Sequence, residues 1–355
     1  MESKETMTAT RTRAATLSDV AKRAGVSINA VSSVVNRSRV GTRVSEETRG
    51  RIQAAAAELE YHPNAAARRL SGKRTGTLGV VFYRAFQSPF SSAYFAPILD
   101  GIGEAASQHR QDMMLFTGHH WEDAQHSLPF FCDGRCDGLL LIGPHTATDI
   151  VGALLDRQVP FTLINNRWED PRASWVDVDD VAAAAAMTSY LLDVGHRKIA
   201  LLCGEFFVQC VPRRIEGYRQ AFAAHGLAAD PAMIVSGSFM PPSTATRVAA
   251  LLAQPASIRP TALFCMNDVM ATEALKAISE HGLRVPEDIS VVGFDDTAPN
   301  AAPLLTTVRQ PLPTLGMRAV ELLLAQIDSP DGEIQTGGTD IQPTELIIRY
   351  SSRPL

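Results

Sequence analysis

Five polar side chains follow short apolar runs of the chain, and their types suit the binding of a small polar molecule. Asn165 and Arg167 come after the run VPFTLI, and Arg214 begins a segment shortly after IALLCG. Asn267 follows TALFCM, and Asp295 follows SVVGF. Charged groups make the stronger hydrogen bonds, so a guanidinium and a carboxylate suit a ligand that is rich in hydroxyl groups.

Several side chains in this region also have an ordinary structural interpretation. Arg214 could lie on the surface at the start of a helix, Asp268 could cap a helix, and Asp296 could belong to a turn. Aromatic residues near the same strand ends could stack on a sugar or a purine, or could pack in the core. They are Tyr83, Phe86, Phe90 and Trp168.

Paired carboxylates and clustered histidines raise the alternative of an enzyme. Asp295 and Asp296 are adjacent, and three histidines lie close together in sequence at His119, His120 and His126. The sequence has no nucleophile elbow, HExxH, P-loop or GxGxxG motif to accompany them. We therefore expect neither catalysis nor a cofactor, and we interpret the histidines as part of a solvated loop and helix start.

The apolar runs alternate with helical patterns, which indicates an α/β body. The predicted strands cover residues 77–83, 112–118, 138–143, 159–165, 198–204, 233–237, 261–267 and 289–295. The predicted helices cover residues 96–109, 150–157, 181–194, 214–225 and 269–281. Short apolar strands between helices indicate parallel sheets covered on both faces, and their number predicts two doubly wound lobes. Such folds bind ligands at the carboxyl ends of the strands.

A second kind of chemistry is indicated by the stretch from Leu17 to Asn36, which predicts two short helices joined by a tight turn. Thr16 can cap the first helix together with Asp19, and Gly25 can supply the positive φ at which that helix ends. Ser27 can cap the second helix. A helix-turn-helix that reads the major groove of DNA has this pattern, and so does an ordinary helical hairpin.

The second helix has one apolar side and one largely polar side. The packing side is formed by Ala30, Val31, Val34 and Val35. The opposite side is formed by Ile28, Asn29, Ser32, Ser33 and Asn36. We expect Ile28 to contact a thymine methyl group and Asn29 to contact an adenine edge.

Basic residues and a third helix follow this stretch. Arg37, Arg39 and Arg43 fill the next loop and suit phosphate contacts. Ser45 can cap the third helix, because it precedes two glutamates. The expected buried side of that helix is formed by Ile52, Ala55, Ala56 and Leu59.

A short helical segment, AAARRLS, comes next, and Asn64 can cap it. A helix of this length is unstable alone in water, so we expect it to form against DNA. Leu70 would then insert between base steps in the minor groove. A plain interdomain linker is the alternative interpretation.

Charge is distributed unevenly along the chain. The formal net charge is −5, yet residues 1–76 hold 14 Lys and Arg against 7 Asp and Glu. The remaining residues hold 19 Lys and Arg against 31 Asp and Glu. A basic head on an acidic body fits a head that meets phosphate and a body that does not.

Composition excludes several classes of protein. No run of eighteen apolar residues exists, so no membrane span is predicted. The polar start of the chain lacks the apolar core of a secretory signal, so we expect a disordered lead-in and a cytoplasmic, nucleoid-associated protein. The five cysteines have neither disulfide-scaffold nor zinc-site spacing, and we interpret them as free thiols without a metal.

The run from Leu17 to Gly72 resembles the headpiece and hinge of the LacI/GalR (lactose-repressor) family of bacterial transcription regulators. The resemblance is carried by LSDVAKRAGVS, VSSVVN, VSEETRGRI and YHPNAAARRL, in this order and spacing. It implies a homodimer that reads two half-sites of double-stranded operator DNA, with paired hinge helices in the minor groove. The DNA contacts expected are Ser27, Ile28, Asn29, Ser32, Ser33, Asn36, Arg43, Asn64, Ala67, Arg68 and Leu70.

The resemblance continues to the C-terminus, where the family's body is similar to a type I periplasmic sugar-binding protein. It implies two lobes joined by three crossovers, which we expect near Val178, Pro311 and Thr339. It also implies a small-molecule effector between the lobes, and Arg214, Asn267 and Asp295 match the positions that hold the effector's polar groups. The expected effector contacts are Tyr83, Phe90, Asn165, Arg167, Arg214, Asn267 and Asp295.

Three positions depart from the family pattern. Ala30 stands where Thr is common, and Ser33 stands where Arg is very frequent. Because Ser33 cannot reach a guanine as Arg does, the usual base preference of the half-site is not expected. Many sugar-binding members have Asp at the position of Asn165, whose amide keeps one acceptor and adds a donor.

We therefore predict an α-helical helix-turn-helix headpiece and an α/β body of two doubly wound parallel-sheet lobes. The function expected is that of a repressor-type transcription regulator controlled by a sugar or sugar derivative. The alternatives are a solute-binding receptor module and a regulator with a purine-like or other non-sugar corepressor. The expected boundaries are 1–15 for the lead-in, 16–63 for the DNA-binding domain, 64–76 for the hinge, 77–178 with 312–338 for the first lobe, and 179–311 with 339–355 for the second lobe.

Overall fold

The computed structural model of the chain describes residues 15–35, 44–61, 74–82, 90–118, 124–143, 148–329 and 337–355. The chain divides into two compact units, residues 1–75 and residues 76–355. Within the described ranges, no helix is long and apolar enough to cross a membrane.

The first unit is built from three helices in its described part. They are α1 (Leu17–Ala24), α2 (Ile28–Val35) and α3 (Glu46–Glu58). One apolar cluster joins them, and its buried members are Val20, Ala21, Ala24, Ala30, Val31, Val34, Ile52 and Ala55. Each of these three helices contributes apolar residues to this small core, and those of α2 and α3 belong to the sides that the sequence predicts to be buried.

The helix ends of this unit are capped as the sequence predicts. The Thr16 side chain accepts a hydrogen bond from the Asp19 N–H at 3.3 Å, and the Asp19 carboxylate accepts one from the Thr16 N–H at 2.9 Å. This reciprocal pair is a capping box. Gly25 ends α1 at a φ of +65°, a left-handed conformation that glycine adopts without steric cost. Ser27 Oγ then accepts from the Ala30 N–H at 3.2 Å and starts α2.

The second unit contains two separate parallel sheets. The first sheet is formed by β1 (Thr77–Phe82), β2 (Asp112–Phe116), β3 (Gly138–Ile142), β4 (Phe161–Ile164), β5 (Ser174–Val178) and β11 (Thr339–Gln342). Its strand order is β11-β5-β4-β3-β1-β2, and all of these pairings are parallel. The second sheet is formed by β6 (Ile199–Leu202), β7 (Ile234–Val235), β8 (Ala262–Cys265) and β9 (Ser290–Val292), in the order β7-β6-β8-β9. A short antiparallel pair, β10 (Thr307–Arg309) with β12 (Glu345–Ile347), adjoins it through bridges to residues 292 and 295.

Helices cover both sheets. Those of the first sheet are α4 (Phe95–Gln108), α5 (Ala124–Phe131), α6 (Ile150–Asp156) and α11 (Leu312–Ile327). Those of the second sheet are α7 (Asp180–Asp193), α8 (Cys210–Ala224), α9 (Ser243–Leu252) and α10 (Asp268–Glu280). We call each sheet with its helices a lobe. The predicted fold class, a helical headpiece with two doubly wound lobes, is confirmed.

Two glycines allow α4 and α11 to approach closely in the first lobe. A Cβ atom on Gly101 would lie 1.9 Å from the Pro313 carbonyl oxygen, and one on Gly316 would lie 2.2 Å from the Ile98 carbonyl oxygen. No side chain fits at either distance, so backbone meets backbone across this helix pair. The first lobe thereby uses a helix from the C-terminal part of the chain as a layer over its N-terminal strands.

The third crossover between the lobes lies later in the chain than predicted. β11 pairs in parallel with β5, with Thr339 opposite Trp175, and therefore belongs to the first sheet. The chain enters the second lobe between Gln342 and Glu345, where β12 begins. The prediction that residues 339–342 belong to the second lobe is wrong, because this polar edge strand carries little apolar signal.

The other two crossovers follow β5 and β10. The chain passes from β5 directly into α7, and from β10 through Gln310 into α11. The sequence did not indicate β5 itself, since SWVDV interrupts its apolar run with Asp177.

Candidate functional sites

A cavity of about 340 Å³ lies between the two lobes of the second unit. This volume is in the range of small-molecule pockets, about 300–1,000 Å³. Its apolar walls are formed by Phe95, Ile142, Val178, Val208, Phe239, Met240, Pro241 and Val269. Its polar walls include Ser91, Ser92, Tyr94, Asn165, Asp177, Asp180, Cys210, Arg214, Asn267, Asp295 and Gln310. Many of these residues directly follow strands, as expected for parallel sheets.

Arg214 lies in the first turns of α8 and is buried, with 4% of its surface exposed. Its Nε donates to Asp180 Oδ1 at 2.9 Å, and its Nη1 donates to the Met266 carbonyl oxygen. The guanidinium carbon lies 3.5 Å from the centroid of the Phe294 ring. These contacts fix the guanidinium at the cavity wall, and the alternative of an exposed helix-start residue is wrong.

Asp295 is buried opposite the first lobe, in the loop after β9. Its Oδ1 accepts a hydrogen bond from Gln310 Nε2 at 2.7 Å. Its backbone φ is +114°, an uncommon value for a residue other than glycine, which is typical of residues held in place at functional sites. Burial raises the pKa of Asp295 well above its ordinary value because the carboxylate loses its water, and the nearby Arg214 opposes this shift.

Asn267 lines the cavity and also caps α10. Its Oδ1 accepts from the Met270 N–H at 2.8 Å, so its amide NH₂ group is what it can offer a ligand. The sequence assigned the cap to Asp268, and this assignment is wrong. Asp268 is buried beneath the helix start, where it accepts from Thr307 Oγ1 and from the Thr297 N–H, both at 2.7 Å. Burial raises the pKa of Asp268 to about 6.

Asn165 follows β4 at a φ of +57°, a left-handed conformation that asparagine tolerates better than most residues. Its Nδ2 donates to the hydroxyl oxygen of Tyr94. Its Oδ1 is buried and has no hydrogen-bond partner among the residues that the structure describes. The first-lobe wall therefore carries an acceptor that the protein itself does not satisfy.

Two predicted effector contacts are not among the residues that line this cavity. Arg167 Nε bonds Asp177 at 3.0 Å and its Nη2 bonds the Val178 carbonyl oxygen at 2.8 Å, so an ion pair holds its side chain. Phe90 is 60% exposed. Neither side chain lines the cavity in this structure, because sequence position after a strand does not fix the direction in which a side chain points.

A chain of ion pairs runs along the cavity wall from one lobe to the other. Asp177 bonds Arg167 at 3.0 Å and Arg213 at 2.9 Å. Asp180 bonds Arg213 at 3.4 Å and Arg214 at 2.9 Å. Beside it, the Gln209 side chain donates to the Arg167 carbonyl oxygen and accepts from the Arg167 N–H, both at 3.0 Å. These contacts connect the β4–β5 loop of the first lobe to the start of α8 in the second.

Several cavity residues carried no sequence signal that singled them out. Tyr94 precedes α4, Phe239 lies in the loop before α9, and Gln310 lies in a crossover. Tyr94 follows no strand, and Gln310 follows a strand that the sequence did not predict. Phe239 comes two residues after the predicted strand 233–237 but is apolar, whereas the expected contacts after strands were polar. Asp180 begins the helix after β5, and a strand assignment at residues 174–178 would have found it.

Among the described residues, the groups that suggested an enzyme do not meet in one site; His119 and His120 lie outside the described residues. Asp296 is held by Arg309 at 2.8 Å and by Arg349 at 2.6 Å, and it is not among the cavity residues beside Asp295. His126 lies on α5 and is exposed. Within the described ranges, no cluster of His, Cys, Asp and Glu could hold a metal ion.

The first unit presents the largely polar side of α2 to solvent. Ile28 is 49% exposed and Asn29 is exposed, whereas Ser32 and Ser33 are half-buried. Ser27 is exposed and caps the helix. This side has the composition of a major-groove reader, with one apolar and several short polar groups. Other predicted contacts lie outside the described residues: Asn36, Arg43, Asn64, Ala67, Arg68, Leu70 and Tyr83.

Comparison with known proteins gives two family matches. Residues 16–64 match the model of bacterial regulatory proteins of the lacI family, and residues 188–352 match that of a periplasmic binding protein-like domain. The HTH-type transcriptional repressor PurR of Haemophilus influenzae (strain PittEE) is 35% identical over 350 residues, which are 96% of this chain and 99% of that one. PurR of Aliivibrio fischeri (strain MJ11) is 35% identical over 344 residues, with 95% and 98% covered.

Solved structures agree with these matches. A complex of the transcriptional regulator CelR with cellobiose has 31% sequence identity and a TM-score of 0.71, covering 95% of this chain and 100% of that one. A lac repressor dimer bound to operator and the anti-inducer ONPF has 28% identity and a TM-score of 0.79, with 96% and 100% covered. Because the likeness extends over both units, the chain belongs to the lacI family of bacterial regulatory proteins and is a DNA-binding transcriptional regulator.

Proposed function

We propose that this regulator is a homodimeric repressor whose affinity for operator DNA is set by a small molecule bound between its lobes. The observation that carries the proposal is the cavity, in which Arg214, Asn267 and Asp295 of the second lobe face Asn165 of the first. A ligand that contacts both lobes favours one lobe arrangement over others by its differential affinity. Because operator DNA is part of the bacterial chromosome, the protein would act in the cytoplasm.

The first unit reads the operator through α2. Ile28 and Asn29 are its exposed readers, and Ser33 replaces a long guanine-reading side chain with a short hydroxyl. Beyond α2, phosphates are contacted by Arg43 and Arg68, and the minor groove is entered by Leu70 as a wedge. The effector response then requires that lobe arrangement changes the spacing of the two headpieces in a dimer.

The proposed effector is a sugar or a sugar derivative. Hydroxyl groups suit the mixed donors and acceptors of the cavity, and the Phe239 ring offers an apolar face for a pyranose. A purine-like corepressor is the second candidate, because the same ring stacks equally well on a heterocycle. The body acts by binding, with no catalytic step, and a turnover assay with any ligand found would test that part.

Arg214→Lys tests the proposal, because lysine keeps the charge but loses the planar fork that bonds Asp180 and Met266. Operator is first selected from a random duplex pool with the full-length protein, and effectors are found by screening for altered operator affinity. We expect the variant to bind operator as the wild type does and to lose the effector response.

The matched control is Arg219→Lys, an exposed position on the same helix, which should respond normally. An effector response that survives Arg214→Lys unchanged would remove the cavity from the mechanism. Loss of the effector response by Arg219→Lys as well would show that the helix, and not the site, was disturbed.

A further inference from the structure

Tyr94 and Asn165 form a polar pair on the first-lobe wall, and two separate elements bring them together. Tyr94 lies at the start of α4, and Asn165 follows β4. Asn165 Nδ2 donates to the Tyr94 hydroxyl oxygen. A phenol that accepts a hydrogen bond still has its own proton to donate. The pair thus retains one donor, the Tyr94 O–H, and one acceptor, Asn165 Oδ1.

The unsatisfied acceptor is the feature that indicates a ligand. Asn165 Oδ1 is buried without a hydrogen-bond partner among the described residues, although the residue lines the cavity. Buried polar atoms of native proteins nearly always have partners, because an unpaired one destabilises the fold. A ligand O–H or N–H placed in the cavity would supply the missing donor.

The charges around the cavity disfavour an anionic ligand. Arg214 is the single cationic side chain among the described residues that line it. Its guanidinium already bonds Asp180 and the Met266 carbonyl oxygen and lies over the Phe294 ring. An anion would therefore meet a guanidinium whose charge is already balanced by Asp180, and it would face Asp295 as well.

A cationic ligand finds no stable partner either. Asp177 is bonded by Arg167 and Arg213, and Asp180 is bonded by Arg213 and Arg214. The remaining carboxyl of the wall is Asp295. Its Oδ1 accepts a hydrogen bond from Gln310 Nε2 at 2.7 Å, and it interacts electrostatically with Arg214. The three carboxyl groups of the wall are thus matched by the three guanidinium groups of Arg167, Arg213 and Arg214.

We propose that the cavity takes an uncharged effector, and that Tyr94 and Asn165 select it by offering a donor and an acceptor side by side. This inference rests on the proposed function, since it concerns the ligand of the same cavity. A hydroxyl group satisfies the pair because it both donates and accepts, and so does the amide-like edge of a neutral heterocycle.

Probes that share a skeleton and differ in charge test the ligand class. The full-length protein is titrated, by thermal shift and calorimetry, with glucose, glucosamine and glucuronate, which are uncharged, cationic and anionic. Cellobiose, ribose, adenine and adenosine monophosphate complete the panel and separate sugars from purines. We expect an uncharged probe to bind, and its charged counterpart to bind at least about tenfold more weakly.

Two variants test the pair itself. Tyr94→Phe removes the donor, and Asn165→Gly removes the acceptor while tolerating the left-handed backbone. Each should weaken binding of the uncharged probe roughly twofold to tenfold, the effect of one neutral hydrogen bond. Tyr218→Phe is the control, because that buried hydroxyl donates to the Ile199 carbonyl oxygen at 2.8 Å in the second-lobe core. It should lower the melting temperature and leave probe affinity unchanged.

The outcomes separate this inference from the proposed function. Binding that depends on Arg214 but prefers the anionic or the cationic probe overturns the inference alone. Binding that ignores both Tyr94→Phe and Asn165→Gly does the same. A panel in which nothing binds counts against the cavity as an effector site, and so against both.

Discussion

At the scale of single residues, the second unit contains buried carboxyl groups, whose pKa differs from that of carboxyl groups on the surface. Asp268 and Asp295 are 1% and 6% exposed, and burial raises the pKa of each. Their hydrogen bonds come mainly from neutral donors such as Thr307 and Gln310. The folded protein therefore takes up protons that the unfolded chain does not, and its stability depends on pH.

The direction in which stability changes with pH follows from the raised pKa of Asp268. Its pKa is about 6 in the folded protein against 3.8 for an unperturbed aspartate, so the group adds stability as pH falls from 7 towards 4. The limiting contribution is roughly 3 kcal/mol, from about 1.4 kcal/mol per unit of pKa. Asp268→Asn should remove that part of the slope in urea unfolding measured between pH 4.5 and 7.

The control for this experiment is Glu280→Gln, an exposed position on the same helix. It should leave the slope unchanged. If Asp268→Asn also leaves the slope unchanged, the proton is taken up elsewhere, and Asp268 does not have a raised pKa in the folded protein.

Asn29 is the residue on which operator preference should depend. It is exposed on α2 and carries an amide that can pair with an adenine edge. Asn29→Ala should lower affinity by about 1–3 kcal/mol at one base pair of the half-site and abolish preference there. Fluorescence anisotropy on a set of single-substitution operators measures this. Equal weakening on every operator would make Asn29 a phosphate contact; Gln53→Ala on the exposed side of α3 is the control.

Part of the candidate site could be predicted because strands end at the cavity, and Arg214 of α8 was predicted from the family resemblance. Asn165, Asn267 and Asp295 come just after strands, and all of them line the cavity. Tyr94 and Gln310 reach the same space from a helix start and a crossover, where no periodic pattern marks them. Position after a strand predicts the edge of the sheet at which a residue lies, but not the direction in which its side chain points.

At the scale of elements, helix packing in the first lobe depends on glycine. In the α4–α11 contact, a Cβ atom on Gly316 would lie 2.2 Å from the Ile98 carbonyl oxygen. Gly152 of α6 has no atom within 4 Å of the corresponding position. Both glycines lie inside helices, but only Gly316 faces a neighbouring backbone. The same substitution should therefore have opposite effects on stability at the two sites.

Gly316→Ala should destabilise the protein by about 1–3 kcal/mol or more, because α11 must shift away from α4. Gly152→Ala should stabilise it by about 0.5–1 kcal/mol, since alanine favours the helix and nothing obstructs it. Chemical unfolding of the two variants beside the wild type decides this. A Gly316→Ala variant as stable as Gly152→Ala would mean that the helices do not approach as closely as described.

Elements could be predicted wherever apolar periodicity was strong. Runs such as GLLLI of β3 and IALL of β6 are buried along their length, and both strands lie where expected. β5 and β11 were missed because Asp177 and Asp340 lie within them. Pairing with a neighbouring strand, and not local sequence, makes these segments extended.

At the scale of the whole second unit, the lobes are connected by hydrogen bonds as well as by the chain. The Gln209 side chain makes a two-way bond with the backbone of Arg167 across the lobes, at 3.0 Å in each direction. Gln326 makes a similar two-way bond with Phe161 inside the first lobe, at 3.3 and 2.9 Å. Gln209 therefore connects the two lobes, whereas Gln326 makes the same kind of contact inside one lobe and can serve as its control.

Gln209→Ala should broaden the distribution of distances between the lobes, because one of their connections is lost. Spin labels attached at Glu104 of α4 and Gln220 of α8, both exposed, report that distance in the full-length protein. Gln326→Ala should lower stability and leave the distance distribution unchanged. A Gln209→Ala distribution identical to that of the wild type would show that the chain crossovers and ion pairs alone hold the lobes.

The third crossover limits what the lobes can do. Only two residues separate β11 in one sheet from β12 in the other, and the three Cα–Cα steps from Gln342 to Glu345 span at most about 11 Å when fully extended. Both flanking strands are hydrogen-bonded into ladders, so this link has almost no slack. Such a short tether resists separation of the lobes but permits one to swivel about the other. We therefore expect any change in lobe arrangement to be a rotation about this point, and a longer loop here to widen the range of lobe arrangements without altering the residues of the cavity.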